Sequence, residues 1–260
     1  MSIFSERQLE KSAYILNSRY SQLSRLSSQD IRNLCCAWCY YSGKIEGNTY
    51  TFVETAALLQ DGITSEKKYD DARMLKNLYN AFNSELEYIL KEGNTETIDE
   101  RTILRIHGIL ASGLESNEKC GKYRWDAVRI GGTDYIPPRE KNEIISEMGK
   151  ILIEQDQYRN PLERAVFLHC NIARTQPFFD ANKRTSRMIE SIVLMNAGII
   201  PNYSTKDSDI LHYRRAIVEF YEKGDYSSYA DYFLDKQIEH IEEICPASER
   251  FIPSSRGLGR

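Results

Sequence analysis

A chain of 260 residues, 41% of them hydrophobic and 28% charged, is long enough for one large domain or for a core with helical additions. Its 34 basic against 38 acidic residues leave a formal charge of -4, which argues against a general electrostatic grip on nucleic acid or on an anionic membrane surface. No apolar run approaches the roughly 20 residues that span a bilayer, and the start, MSIFSERQLEKS, lacks the apolar core of a secretory leader, so no membrane partner and a cytoplasmic protein are expected.

Helical periodicity dominates. It predicts helices over 5–23, 28–42, 51–60, 65–92, 98–114, 139–156, 160–175, 182–197, 208–223 and 226–244, an all-α fold. In the second of these, Ile31, Leu34, Cys35, Trp38 and Cys39 fall on one helical face. The cluster Cys35, Cys36 and Cys39 therefore reads as core packing, because no further Cys or His completes a tetrahedral metal set at a usual spacing. Six cysteines in a chain this long fit reduced, partly buried thiols. Breakers at Gly43, Gly62, Gly93, Gly198 with Pro201, and Gly224 mark the turns between helices.

One segment departs from the helical pattern. Val128 to Pro138 places two short β-prone runs on either side of Gly131-Gly132 and predicts a hairpin. On the last helix, Tyr226, Tyr229 and Phe233 offer either a self-association contact or core packing. The stretch from Cys245 to Arg260 is rich in Pro, Ser, Gly and Arg and reads as a frayed tail.

The chemical centre is Gln176-Pro-Phe-Phe-Asp-Ala-Asn-Lys-Arg-Thr-Ser-Arg187, a loop that opens a helix. A helix start presents unpaired N–H groups and the positive end of the macrodipole, which favours an anion. Lys183, Arg184 and Arg187 add three cations, and the last two, three residues apart, are neighbours on the helix surface. Asp180 is suited to Mg²⁺ bridging phosphate oxygens, and Asn182 can donate to a phosphate without adding charge. On spacing alone, a solvated basic helix start fits equally well.

This segment resembles the Fic/Doc signature, H-x-F-x-(D/E)-(G/A)-N-(G/K)-R-x-x-R, at every specified position except the first. Phe178, Asp180, Ala181, Asn182, Lys183, Arg184 and Arg187 match. Gly121-Lys-Tyr-Arg124, followed by Ile130, Gly131, Gly132, Tyr135 and Ile136, is similar to the family's target-positioning flap, which pairs with an extended target segment. Ser42-Gly-Lys-Ile-Glu46-Gly47 resembles the inhibitory motif S-x-x-x-E-(G/N), whose Glu pairs with the second Arg of the signature. The resemblance implies a Fic-type helical core over 31–200, including the inhibitory helix, flap and signature loop. Around it lie an N-terminal helical extension over 1–30, C-terminal helices over 201–245 and a tail over 246–260.

Carried over, the family's roles put the α- and β-phosphates of ATP on Asn182, Arg184 and the loop backbone, Mg²⁺ on Asp180 and the γ-phosphate on Arg187, with Lys183 a further phosphate-binding residue. The implied reaction moves AMP from ATP to a hydroxyl side chain of a target protein. The family's first signature position is a histidine that accepts the hydroxyl proton; here it is Gln176, whose amide cannot titrate near neutrality. His169, two helical turns upstream, reads as a satisfied core residue. The resulting expectation is a weak or inactive protein adenylyltransferase, autoinhibited by Glu46. A non-catalytic nucleotide-binding module and, because D-A-N-K-R resembles the Doc branch, a protein kinase are the alternatives. The acidic balance weighs against a DNA-binding regulator.

Overall fold

The computed structural model describes residues 2–64, 67–93, 98–204 and 206–253. Among the described residues, ten α-helices run in chain order: α1 (Glu6–Asn17), α2 (Ser28–Ile45), α3 (Phe52–Asp61), α4 (Tyr69–Glu92), α5 (Glu100–Ala111), α6 (Lys141–Glu154), α7 (Pro161–Thr175), α8 (Asn182–Asn196), α9 (Asp207–Lys223) and α10 (Ser227–Ile244). Their starts follow local chemistry. Ser5 with Gln8, Ser27 with Asp30 and Thr51 with Glu54 form reciprocal capping boxes at α1, α2 and α3, while Asp99 caps α5 and Asn160 precedes Pro161 at the start of α7.

α7 and α8 pack along each other at the centre, with α4 and α5 against α8 and α9 and α10 against α7. Every residue of α8 from Arg184 to Met195 is buried, polar ones included. A helix enclosed on all sides must find internal partners for each polar group it carries, and that requirement shapes the site described below. The N-terminal extension is held by α1 against α10 and by an antiparallel bridge between Gln22 and Ile199. No described helix is long and apolar enough to cross a membrane.

Several expectations are corrected. The first helix stops at Asn17, because Ser18 turns extended and caps a following 3₁₀ turn over Arg19–Ser21. Gly43 does not end a helix: α2 continues to Ile45, and a Cβ at Gly43 would stand 3.1 Å from Leu75 Cδ2 and 3.2 Å from Asn48 Cβ, so the glycine permits close packing of α4. Tyr229 and Phe233 are buried core residues and Tyr226 packs on the core against Phe220, so these aromatics form no exposed contact face. Cys35, Cys36 and Cys39 are likewise buried. The stretch after α10 is docked as far as it is described: Tyr14 donates to the Glu249 carbonyl, and Phe251 stands against Tyr14 at 5.4 Å. Its remainder, 254–260, and residues 65–66 of the predicted fourth helix lie outside the described residues.

Candidate active site

The loop between α7 and α8 is bracketed by two non-glycine residues in the left-handed region, Gln176 at φ 48° and Ala181 at φ 58°. Such residues are costly outside glycine and persist only where surrounding contacts impose them. Here those contacts are dense. Asn182 accepts from the Phe178 N–H at 2.8 Å and donates to the Phe178 carbonyl at 2.9 Å, stitching the loop into a closed turn. Phe178 is fully buried and stacks on His107 with ring centroids 3.7 Å apart. Gly121 N–H donates to His107 Nδ1, and burial draws the imidazole down to about 4, so it is a neutral shelf for the loop.

Arg124 locks this loop to the flap. Its guanidinium is fully buried and donates to the carbonyls of Gln176, Asp126 and Pro138 at 2.6, 2.7 and 2.5 Å, and its backbone N–H donates to the Pro177 carbonyl. One side chain thus joins the signature to both ends of the segment around Gly131-Gly132. That segment turns at the two glycines, but no strand ladder is assigned among the described residues, in contrast to the predicted hairpin. Its inner side is held by side chains instead: Ile130 and Tyr135 pack against the core, and the Arg174 guanidinium lies 4.3 Å from the Tyr135 ring. Ile136 remains exposed.

At the start of α8 no side chain caps the first turn, which leaves the N–H groups of Asn182, Lys183 and Arg184 without intrahelical partners. Arg184 is 3% exposed. Its Nη2 bonds Asp180, four residues back, while Nε and Nη1 have no hydrogen-bond partner. A buried cation with unspent donors beside a bare helix start is an incomplete arrangement that an anion would complete. Asp180 is itself half-exposed. The side chain of Asn182, expected to face a phosphate, is instead engaged with Phe178.

One turn further along α8, Arg187 is completely buried and fully partnered. Nε donates to Ser42 Oγ at 3.3 Å, Nη2 to the Ser42 carbonyl at 3.1 Å and to Glu46 Oε1 at 2.8 Å, and Nη1 to the Tyr213 hydroxyl at 3.2 Å. Glu46 stands just past the last residue of α2, which is why its carboxylate can leave the helix surface and reach α8. Its other oxygen lies 3.2 Å from Lys183 Nζ. Burial would push the Glu46 carboxyl up, but Arg187, Lys183 and Arg184 outweigh it and draw it down to about 2. Burial opposes the Arg187 charge as well, and Tyr213 and Glu46 together keep it above the usual arginine range.

The structure therefore brings Ser42, Glu46, Lys183 and Arg187 into one contact group and sets Asp180 and Arg184 beside it. Gln176 is turned away: its Nε2 donates back to the Ala173 carbonyl at 2.6 Å, capping the end of α7. Sequence reasoning missed Arg124, His107 and Tyr213. Arg124 ends the quoted flap string Gly121-Lys-Tyr-Arg124, so it was within view, but neither His107 nor Tyr213 sits in a motif.

Residues 97–194 match the family model described as the Fic/DOC family. The chain is 25% identical over 203 residues to the protein adenylyltransferase fic-1 of Caenorhabditis briggsae, an alignment covering 75% of this chain and 39% of that protein. It thus spans about two fifths of the length of the curated relatives it matches. Among solved structures, a Fic family protein from Desulfovibrio desulfuricans G20 superposes with a TM-score of 0.76 at 18% identity, over 92% of this chain and 74% of that one. A Fic domain containing signaling protein from Bacteroides thetaiotaomicron VPI-5482 gives 0.70 at 20% identity, over 90% and 94%.

Proposed function

We propose that this chain, whose residues 97–194 match the Fic/DOC family model, is a protein adenylyltransferase held in an autoinhibited state by Glu46. The observation that carries this reading is the occupation of Arg187 by Glu46 next to an Arg184 with unspent donors. One cation is satisfied by the Glu46 carboxylate, while its neighbour, paired with Asp180 through Nη2 alone, keeps two donors unused.

In this reading ATP lies along the start of α8. The bare N–H groups of the first turn and Arg184 hold the α- and β-phosphates, and Arg187 takes the γ-phosphate once Glu46 has withdrawn. Asp180 offers a half-exposed carboxylate, a donor suited to Mg²⁺ that keeps phosphate oxygens and waters as its other ligands. Bound there, the ion would neutralise phosphate charge. The target hydroxyl oxygen attacks the α-phosphorus, its proton passes to solvent, the bond to the bridging oxygen of the β-phosphate breaks, and pyrophosphate leaves. The segment around Gly131-Gly132, with backbone groups not committed to a ladder, positions an extended target strand beside Gln176. Gln176 cannot accept the hydroxyl proton, so catalysis rests on positioning and charge stabilisation and is slow.

A second reading, a nucleotide-binding module without catalysis, is favoured by the amide of Gln176 folded onto Ala173. Incubating the Glu46→Gly protein with a broad lysate and ATP labelled at the α- or the γ-phosphate separates the readings. Protein label from the α position alone supports AMP transfer. Label from the γ position alone indicates a kinase, and no label despite ATP binding indicates the module.

A further inference from the structure

Arg187 has a second set of partners besides those from the end of α2, and this set leads to a second carboxyl group, that of Glu190. The Tyr213 hydroxyl, which accepts from Arg187 Nη1, lies 3.1 Å from His169 Nε2. His169 Nδ1 lies 3.1 Å from Glu190 Oε2, at ion-pair distance but without the alignment of a hydrogen bond. Glu190 in turn accepts from the Tyr203 and Tyr229 hydroxyls, each at 2.7 Å. Tyr213, His169, Glu190 and Tyr229 are at most 1% exposed. These residues come from α7, α8, α9, α10 and the segment after α8.

The donor sequence has one consistent direction. An arginine only donates, so the Tyr213 oxygen must accept, and its single proton is then directed to His169 Nε2. This leaves the His169 proton on Nδ1, facing Glu190. Burial pushes the Tyr213 phenol above the usual tyrosine range, so the hydroxyl keeps its proton. Arg187 and Glu190 are three residues apart on α8 and are joined through the Tyr213 and His169 side chains.

We propose that Tyr213, backed by His169 and Glu190, is a positioning residue that holds the Arg187 guanidinium in its phosphate-ready orientation when Glu46 is gone. A buried guanidinium stripped of its only carboxylate would be costly to leave in place and would turn away or draw in water. Glu190 cannot leave, because the Tyr203 and Tyr229 hydroxyls both donate to it inside the fold. Glu46 and Ser42, by contrast, both belong to the end of α2, so whatever displaces that end removes both contacts at once. Tyr213 comes from a different helix and stays. The nucleotide part of the test rests on the reading of Arg187 as the γ-phosphate residue.

The test compares Glu46→Gly with Glu46→Gly/Tyr213→Phe, which removes one oxygen and keeps the ring that lies 5.5 Å from the guanidinium. Arginine-labelled protein, with the Arg187 signal identified by its loss in Arg187→Lys, reports the side chain without nucleotide. We expect hindered rotation about the Arg187 Cζ–Nη1 bond in Glu46→Gly and averaging of those signals in the double variant. Calorimetry should show ATP affinity falling about tenfold on loss of the hydroxyl, with AMP unchanged. Glu46→Gly/Glu190→Gln, which preserves shape, should reproduce the ATP-selective loss if Tyr213→Phe folds poorly. Unchanged Arg187 signals in the double variant, or equal losses for ATP and AMP, would overturn the proposal. If Glu46→Gly itself fails to favour ATP over AMP, the γ-phosphate assignment fails, and the arginine signals alone then decide the positioning role.

Discussion

Lys183 Nζ lies 3.2 Å from the Glu46 oxygen that Arg187 leaves free, so the Glu46 carboxylate is gripped at both ends by residues of α8. The lysine that gives this loop its resemblance to the Doc branch thus has a definite contact in this chain: it pairs with Glu46. Lys183 is one-third exposed and Arg187 is buried, so Arg187 supplies the stronger part of the grip. Replacing Lys183 by Met should let the Glu46 carboxyl titrate at higher pH than in the parent, since one of the cations that hold it down is removed. Carbon-detected NMR of the Glu46 carboxyl checks this, and an unchanged titration would mean that Lys183 contributes nothing to the grip.

The same carboxylate predicts a pH dependence of stability. Its ordinary value of 4.5 falls to about 2 in the fold, so the stabilisation is fully present above about pH 4.5 and is lost as the pH falls toward 2. A shift of this size corresponds to about 3 kcal/mol. Glu46→Gln should therefore melt below the parent at pH 7, and the gap in Tm should close between pH 4.5 and 2. A gap that stays constant over that range would show that the ion pair gives no net stability.

Arg124 makes a prediction of a different kind. It is a buried cation without a carboxylate partner, and its donors serve three carbonyls on the flap and the signature loop. Removing it strands those carbonyls, so Arg124→Ala should cost about 3 kcal/mol or more, at about 1 kcal/mol or above for each unpaired group. Hydrogen exchange should rise across 125–138 and 176–182 together, since one side chain ties both. Faster exchange confined to one of the two segments would contradict that role.

The helices were legible because their signals are local: capping boxes at Ser5, Ser27 and Thr51 and amphipathic faces such as that of Ile31 to Cys39 lie within a few residues of one another. The signature loop was legible as a string, but the direction of its side chains was not. Asn182 looks like a phosphate donor in sequence and turns inward because Phe178 offers both a donor and an acceptor four residues back. The Tyr213, His169 and Glu190 relay has no sequence signal at all, since its members are 44, 21 and 23 positions apart and meet only when α7, α8 and α9 pack. The flap failed as a hairpin prediction for the opposite reason: its β-prone residues satisfy the local pattern, yet Tyr135 and Ile130 are held by core packing and no ladder is assigned.

The last prediction concerns Gln176. At φ 48° the position demands a residue that tolerates the left-handed region, and histidine is enriched there among non-glycine residues, so Gln176→His should not disturb the turn. The change gives up the 2.6 Å amide contact to the Ala173 carbonyl, a loss of about 1 kcal/mol in stability. In return it places an imidazole, titrating near 6.5 when unperturbed, where the target hydroxyl is expected. In the Glu46→Gly background, AMP transfer to protein should rise by at least about tenfold, since a general base typically contributes about 10²–10⁴-fold. The rate should increase with pH through the imidazole range, because the neutral form is the base. Gln176→Ala, which also loses the cap, should show neither effect. Equal rates for the His and Ala variants, measured with α-labelled ATP under conditions where both bind nucleotide, would mean that the missing base is not what limits this chain.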